Sequence, residues 1–219
     1  MEEKSKTELI SIFLKNNYNV NTPIFIQEVY DEFYDTSPNT IRTIFKRLSD
    51  DQAIERIDSG VYALPNPNSI FQKPTVYASD IIREKYIEKT NDIFGYYSGF
   101  SFSNSLNLTV QTASVEEIAS NNSSNKKRSI EIKGRKIILN APRVKITNNN
   151  YKLLQVLDLF NDFEKYSEYN LKDAKPKIVK YLKNIDLTSD EIESIVDKYP
   201  LKAQVNFYKS GVYYEITQR

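Results

Sequence analysis

The stretch Ser37-Pro38-Asn39-Thr40-Ile41-Arg42-Thr43-Ile44-Phe45-Lys46-Arg47-Leu48 leaves little freedom in how it can fold. Ser37 is a good N-cap residue, and Pro38 suits the first helical position, where its missing N–H costs nothing. Ile41, Ile44, Phe45 and Leu48 recur at helical spacing, so one face of the helix has to be buried. The opposite face carries Asn39, Arg42, Thr43, Lys46 and Arg47, side chains that reach phosphates and base edges. Such a helix can enter a DNA major groove without exposing a core residue.

The flanking sequence gives this helix a setting. Residues 5–16 read as a helix opened by a Ser5/Glu8 capping box, and 23–34 as a second helix after Thr22-Pro23. Asp35-Thr36 is a turn. Ile54–Ile57 alternates like a strand, Asp58-Ser59-Gly60 is a tight-turn signal, and Val61–Leu64 is the return strand. Helices followed by a hairpin in this order predict a winged helix-turn-helix over 1–65, closed by Pro65-Asn66-Pro67-Asn68 as a domain boundary. Docking would place the third helix in the major groove and the 58–60 wing, with Ser59 at its tip, beside the backbone. Asn39, Thr40 and Thr43 are candidate base readers. Arg42 is the first choice, because a guanidinium pairs well with guanine. Lys46, Arg47 and Arg56 are the candidate phosphate contacts. Residues 1–65 hold 7 basic and 11 acidic side chains, a net of −4, so a protein-interaction role for the same fold stays open.

The remaining residues, 66–219, read as one mixed α/β domain with an antiparallel sheet, making the expected fold class α+β. A helix is expected over 75–92, a strand or turn at 94–99 leading into a short helix at 100–107, and extended chain over 109–120. Asn121–Asn125 reads as a polar loop. Two strands, 128–133 and 135–139, meet near Gly134. Helices are expected over 149–164, 171–184 and 188–199, the last opened by a Thr188/Glu191 capping box. A terminal hairpin is expected over 203–217, turned at Lys209-Ser210-Gly211.

The charge is concentrated. Lys126, Lys127, Arg128, Lys133, Arg135, Lys136, Arg143 and Lys145 fall within twenty residues that hold one acid, Glu131. Alternation in the hairpin sets Ile130, Ile132 and Ile138 against Lys133, Arg135 and Lys136, giving a packed side and a basic side that suits RNA, DNA or an acidic protein face. Phe94, Tyr96, Tyr97, Phe100 and Phe102 read as core before they read as a base-stacking platform. Asp158, Asp162 and Glu164, with Asp190, Glu191 and Glu193, read as solvated faces or first-turn acids before they read as a Mg²⁺ site.

Composition removes several kinds of chemistry. The chain has no Cys and no His, which excludes disulfides, thiolate metal sites and His-based catalysis. Ser98-Gly99 therefore reads as a helix cap, not a nucleophile. No cofactor, metal or catalytic residue is expected. No apolar run approaches the roughly 18 residues that span a bilayer, and no apolar segment follows the charged N-terminus as in a signal peptide, so a cytoplasmic protein away from membranes is expected.

Two stretches carry a family resemblance. Gly95-Tyr96-Tyr97-Ser98-Gly99-Phe100-Ser101-Phe102-Ser103-Asn104-Ser105-Leu106-Asn107-Leu108-Thr109-Val110-Gln111 and Arg135-Lys136-Ile137-Ile138-Leu139-Asn140-Ala141-Pro142-Arg143-Val144 resemble the central signature of AbiEi-type antitoxins of bacterial type IV toxin–antitoxin systems. Tyr62-Ala63-Leu64-Pro65 matches the phrase that ends their N-terminal winged helix. Asn107 stands where the pattern has Gly, and Asn140 where a basic residue is common. The resemblance covers roughly residues 1–160. It implies a phage-defence antitoxin and autorepressor. The winged helix would bind double-stranded DNA at repeats in its own promoter, which leaves room for more than one copy of the chain. The second domain would neutralise a nucleotidyltransferase-like toxin. The alternatives are a plain winged-helix regulator with a ligand-sensing or dimerisation domain, and a Mg²⁺-dependent nucleic-acid-processing enzyme using acids such as Asp158 and Asp190.

Overall fold

The computed structural model describes residues 5–71, 73–124 and 126–218, so Asn125 of the expected polar loop lies outside the described residues. The fold is α+β, and the chain divides into two compact units, Met1–Ile81 and Ile82–Arg219. The division falls later than the Pro65-Asn66 boundary expected from the sequence. The physical reason is Asn21, whose side-chain oxygen accepts from the Asn66 amide at 3.4 Å and from the Thr75 backbone N–H at 2.8 Å. Those bonds hold the Pro-rich segment against the first unit.

In that unit α1 (Lys6–Asn17) starts at the Ser5/Glu8 capping box. The expected second helix is shorter. Ile24–Phe25 forms a strand, β1, and α2 (Ile26–Glu32) follows it directly. Ile24 and Phe25 are drawn out of the helix because they pair with Tyr62 and Val61. Helix α3 (Pro38–Asp50) is capped by Ser37, whose hydroxyl accepts from the Thr40 N–H at 3.1 Å. β2 (Glu55–Asp58) and β3 (Val61–Ala63) form the hairpin, turned at Gly60 with φ +69°, and the sheet order is β1-β3-β2. Ile10, Leu14, Ile24, Val29, Ile41, Ile44, Phe45, Leu48 and Ile54 make the core. The Phe45 and Tyr62 rings meet edge-to-face at 4.8 Å, which fastens α3 to the hairpin.

Helix α4 (Ala78–Ile82) falls at the division, and a π-helical turn, Arg83–Ile87, opens the second unit. The expected 75–92 helix stops there. Thr90 and Asn91 adopt positive φ and turn β4 (Glu88–Lys89) back onto β5 (Asp92–Ile93). β6 (Gly95–Ser98), α5 (Gly99–Ser105), β7 (Glu116–Ser120), β8 (Lys127–Ile132) and β9 (Arg135–Asn140) follow. Their sheet has the order β6-β7-β9-β8 and is mixed, not purely antiparallel, because β7 and β9 run parallel. Only 116–120 of the expected extended segment is strand. Asn107, in the place of the family's Gly, has φ +54°, a conformation Asn tolerates better than most side chains.

The expected 149–164 helix breaks at Asp162 into α6 (Tyr151–Asn161) and α7 (Phe163–Tyr166). Then come α8 (Leu171–Tyr181), α9 (Ser189–Val196, with its Thr188/Glu191 capping box), α10 (Leu201–Lys209) and α11 (Val212–Thr217). The expected terminal hairpin is therefore a helix pair. Ala203, Phe207, Val212 and Ile216 are buried at spacings that suit helices, and Gly211 (φ +73°) joins the two. Leu153, Leu154, Val156, Leu157, Leu159 and Phe160 of α6 form the centre of the core, with Ile178, Ile192, Val196 and Phe207 from the later helices and Tyr96 and Ala119 from the sheet. No helix among the described residues is long and apolar enough to cross a membrane.

The sheet depends on one close approach. A Cβ at Gly95 would lie 1.8 Å from the Tyr86 carbonyl oxygen and 2.9 Å from that of Ala119, both backbone atoms. Gly95→Ala should therefore destabilise the protein by about 3 kcal/mol or more, read as a fall in the urea midpoint. A change within about 0.5 kcal/mol would contradict this packing.

Candidate functional site

On α3 every predicted contact residue is exposed: Asn39, Thr40, Arg42, Thr43, Lys46 and Arg47. Several are held by neighbours. Arg42 donates to the Asn39 side chain at 2.9 Å, and its guanidinium lies 5.6 Å from the centre of the Tyr30 ring. Thr43 donates to the Asn39 carbonyl at 3.0 Å, and the Thr40 and Ser37 hydroxyls lie 2.8 Å apart. Arg56 reaches back toward the Asp58 carbonyl at 3.4 Å. Arg42, Lys46, Arg56 and Ser59 line one groove of about 620 Å³ between α2, α3 and the hairpin. Arg47, Thr40 and Thr43 lie outside it. Asp50 also lines the groove, so its surface is basic with one acidic edge.

The eight basic residues of the second unit do not form one ridge. Lys126, Lys127 and Arg143 line a cleft of about 670 Å³ against the sheet. Arg135 and Lys136 flank a separate concavity of about 570 Å³ near the hairpin turn, where Arg135 pairs with Glu116 at 3.6 Å. Arg128 is half-buried on the opposite sheet face, close enough to Tyr86 to act on its phenol. Lys133 sits in the turn with φ +47°, and Lys145 is exposed elsewhere. The packed side of the hairpin is also corrected. Ile137, Leu139 and Ile132 are buried, whereas Ile138 is half-buried and faces the other way. The strand register explains this, since Ile137 pairs with Ile130 and Ile138 with Ser129.

The cleft gains residues that sequence reasoning missed. Lys165 and Tyr166 come from α7, Lys198 from the chain after α9, Glu117 and Ala119 from β7, and Asp158 from α6. Asp158 is not a solvated helix acid. Its carboxylate accepts from the Tyr96 hydroxyl at 2.7 Å. Burial pushes it up to about 6, against the opposing pull of the Tyr96 hydrogen bond and the Arg143 guanidinium, while Asp162 and Glu117 add to the rise. Tyr96 and Tyr199 are raised well above the usual phenol range, first by burial and then by the Asp158 charge. Arg143 lies 5.8 Å from the Tyr199 ring centre. The signal for Asp158 was present in its spacing, four residues after buried Leu154 and directly between buried Leu157 and Leu159.

Other expectations resolve more simply. Tyr96 and Phe102 are core, and Phe100 packs edge-to-face on Tyr166 at 5.0 Å. Ser98 occupies the N-cap position of α5 but its side chain makes no capping bond. Glu164 pairs with Lys202 at 2.8 Å, and Glu191 serves the capping box. Among the described residues, no group of three or more Asp or Glu is placed to hold a metal ion. No family model matches the chain, and no curated protein matches it.

The buried carboxyl has a measurable consequence. Between its ordinary value of 3.8 and about 6, folded Asp158 holds a proton that the unfolded chain has lost. Its contribution is thus most favourable below 3.8 and is lost as pH rises through 6. Asp158→Asn should stabilise the protein by about 1–2 kcal/mol near pH 8 and by little near pH 4, read from thermal melts at both. Equal effects at the two pH values would refute a buried ionised carboxylate.

Proposed function

We propose that the chain is a cytoplasmic, non-catalytic antitoxin that represses its own operon. In this reading the first unit is a winged helix-turn-helix bound to repeats in its own promoter. The second neutralises a nucleotidyltransferase-like toxin. One observation carries the reading furthest. Both stretches that resemble the AbiEi-type antitoxins contribute to one cleft: Ser98 and Gly99 from the first, Asn140, Ala141, Pro142 and Arg143 from the second. Separated by some forty residues of sequence, they converge as a shared functional site would require.

The DNA-binding half is supported by α3. Its cap, its buried stripe and its exposed Asn, Thr, Arg and Lys side chains suit insertion into a major groove, with β2–β3 beside it as the wing. Arg42 is oriented by Asn39 and Tyr30, which lowers the entropy lost on contacting a guanine.

The test separates the two halves in the full chain. Arg42→Ala with Lys46→Ala should weaken binding to the DNA upstream of its own gene by at least about thirtyfold in a gel-shift titration. The same variant should still restore growth to cells expressing the adjacent gene. Loss of both activities in a folded double variant would contradict the division of labour. An adjacent gene that is harmless alone would leave the plain DNA-binding regulator as the reading.

A further inference from the structure

The cleft of the second unit brings together five cations, Lys126, Lys127, Arg143, Lys165 and Lys198, against three carboxylates, Glu117, Asp158 and Asp162, so positive charge is in surplus there. Lys126 and Lys127 stand at the start of β8, Arg143 follows β9, and Lys198 follows α9; all four are exposed and line the same concavity. Among the described residues, the ammonium groups of Lys126, Lys127 and Lys198 have no ion pair or hydrogen bond. Lys165 differs, since its ammonium donates to the Tyr166 hydroxyl at 3.0 Å and lies 4.6 Å from that ring's centre. Converging cations from three separate chain segments repel one another, and a polyanion between them would remove that repulsion.

We propose that this cleft binds a nucleoside triphosphate, with the phosphate chain on Lys126, Lys127, Arg143 and Lys198. Three features select this class. At about 670 Å³ the cleft has the size of a small-ligand site, and it is a concavity rather than a convex ridge that a duplex could lie along. Its cations suit a ligand of several negative charges more than a single phosphate. Beyond the cations, the exposed Asp162 carboxylate accepts from the Asn161 amide at 2.9 Å and keeps its second oxygen as an acceptor for ribose hydroxyls, and the Asn140 amide offers a paired donor and acceptor for a base edge. Gly99, Ala119 and Ala141 leave room along the wall.

Asp158 sets the opposing charge. It lies in the same cleft and is faced by Tyr96 from β6, Glu117 from β7, Arg143 after β9, Asp162 at the end of α6 and Tyr199 after α9. At neutral pH its carboxylate is ionised and repels a phosphate chain. The inference stands on the cleft alone, whether or not the chain is an antitoxin.

Isothermal titration of the full chain with magnesium-free ATP, GTP, CTP and UTP, and with inorganic triphosphate, tests it. At least one nucleotide should bind saturably below about 1 mM, and more tightly than inorganic triphosphate. Lys127→Ala with Lys198→Ala should weaken that binding by at least about tenfold, while Lys136→Ala, at the separate concavity, should leave it unchanged. Asp158→Asn, which keeps an acceptor for Tyr96, should tighten it about threefold or more near pH 7.5. Absence of saturable nucleotide binding overturns the proposal. So does inorganic triphosphate binding as tightly as every nucleotide, or an unchanged affinity in a double variant that melts like the parent. Tight binding of single-stranded RNA without any nucleotide binding would also overturn it.

Discussion

The burial of α6 on nearly every side is the constraint around which the second unit is organised. Six apolar side chains of that helix are inside, a contribution on the order of 10 kcal/mol of transfer free energy. A helix buried this fully must also bring polar groups inside, and each finds a partner. Gln155 donates to the Tyr97 carbonyl at 2.5 Å and accepts from Tyr181, and Asp158 accepts from Tyr96. The Asn206 amide bonds the Phe160 carbonyl at 2.8 Å, tying α10 to the helix. On the sheet side Tyr96 and Ala119, from β6 and β7, join this cluster, and Ile132 of β8 with Ile137 and Leu139 of β9 are buried as well. Asp158 and Ala119 belong both to these packed elements and to the lining of the charged cleft, so the packing that builds the core also forms one wall of it.

The first unit presents a different balance. Its segment 1–65 carries a net charge of −4, yet the exposed face of α3 holds Arg42, Lys46 and Arg47, and Arg56 adds to it from β2. Affinity for a phosphate backbone depends on the local field within about a Debye length, roughly 10 Å, more than on the sum over a domain. A basic helix face on an acidic unit also disfavours approach by the wrong side. In the proposed DNA-binding role, the hydrogen-bonded Arg42 and Thr43 would suit base contacts, and the exposed Lys46 and Arg47 would suit phosphates.

Helices with strong local signals were legible in the sequence. The Ser37 cap, the Ser5/Glu8 and Thr188/Glu191 capping boxes and the stripe of α3 all appear where local chemistry put them. The losses came where tertiary pairing decides. Ile24 and Phe25 have helical neighbours but join a sheet formed with residues near position 61. The parallel β7–β9 pairing leaves no local trace. The segment after Pro200 alternates well enough for strands, yet its apolar residues are buried at helical spacing, with α10 packed on α6 and α11 on α8. The candidate site was half legible for the same reason. A run of basic residues is visible in sequence, but its partition among the cleft, the turn concavity and the opposite sheet face follows from strand register, and Lys165, Lys198 and Asp158 arrive from distant helices.

The proposed DNA-reading role of α3 is tested most directly by the salt dependence of binding to the chain's own upstream DNA. Lys46, Arg47 and Arg56 as phosphate contacts, with Arg42 on a base, predict a plot of log affinity against log salt with a slope of about −3 per bound chain. A slope near zero, or no binding at low salt, would contradict it.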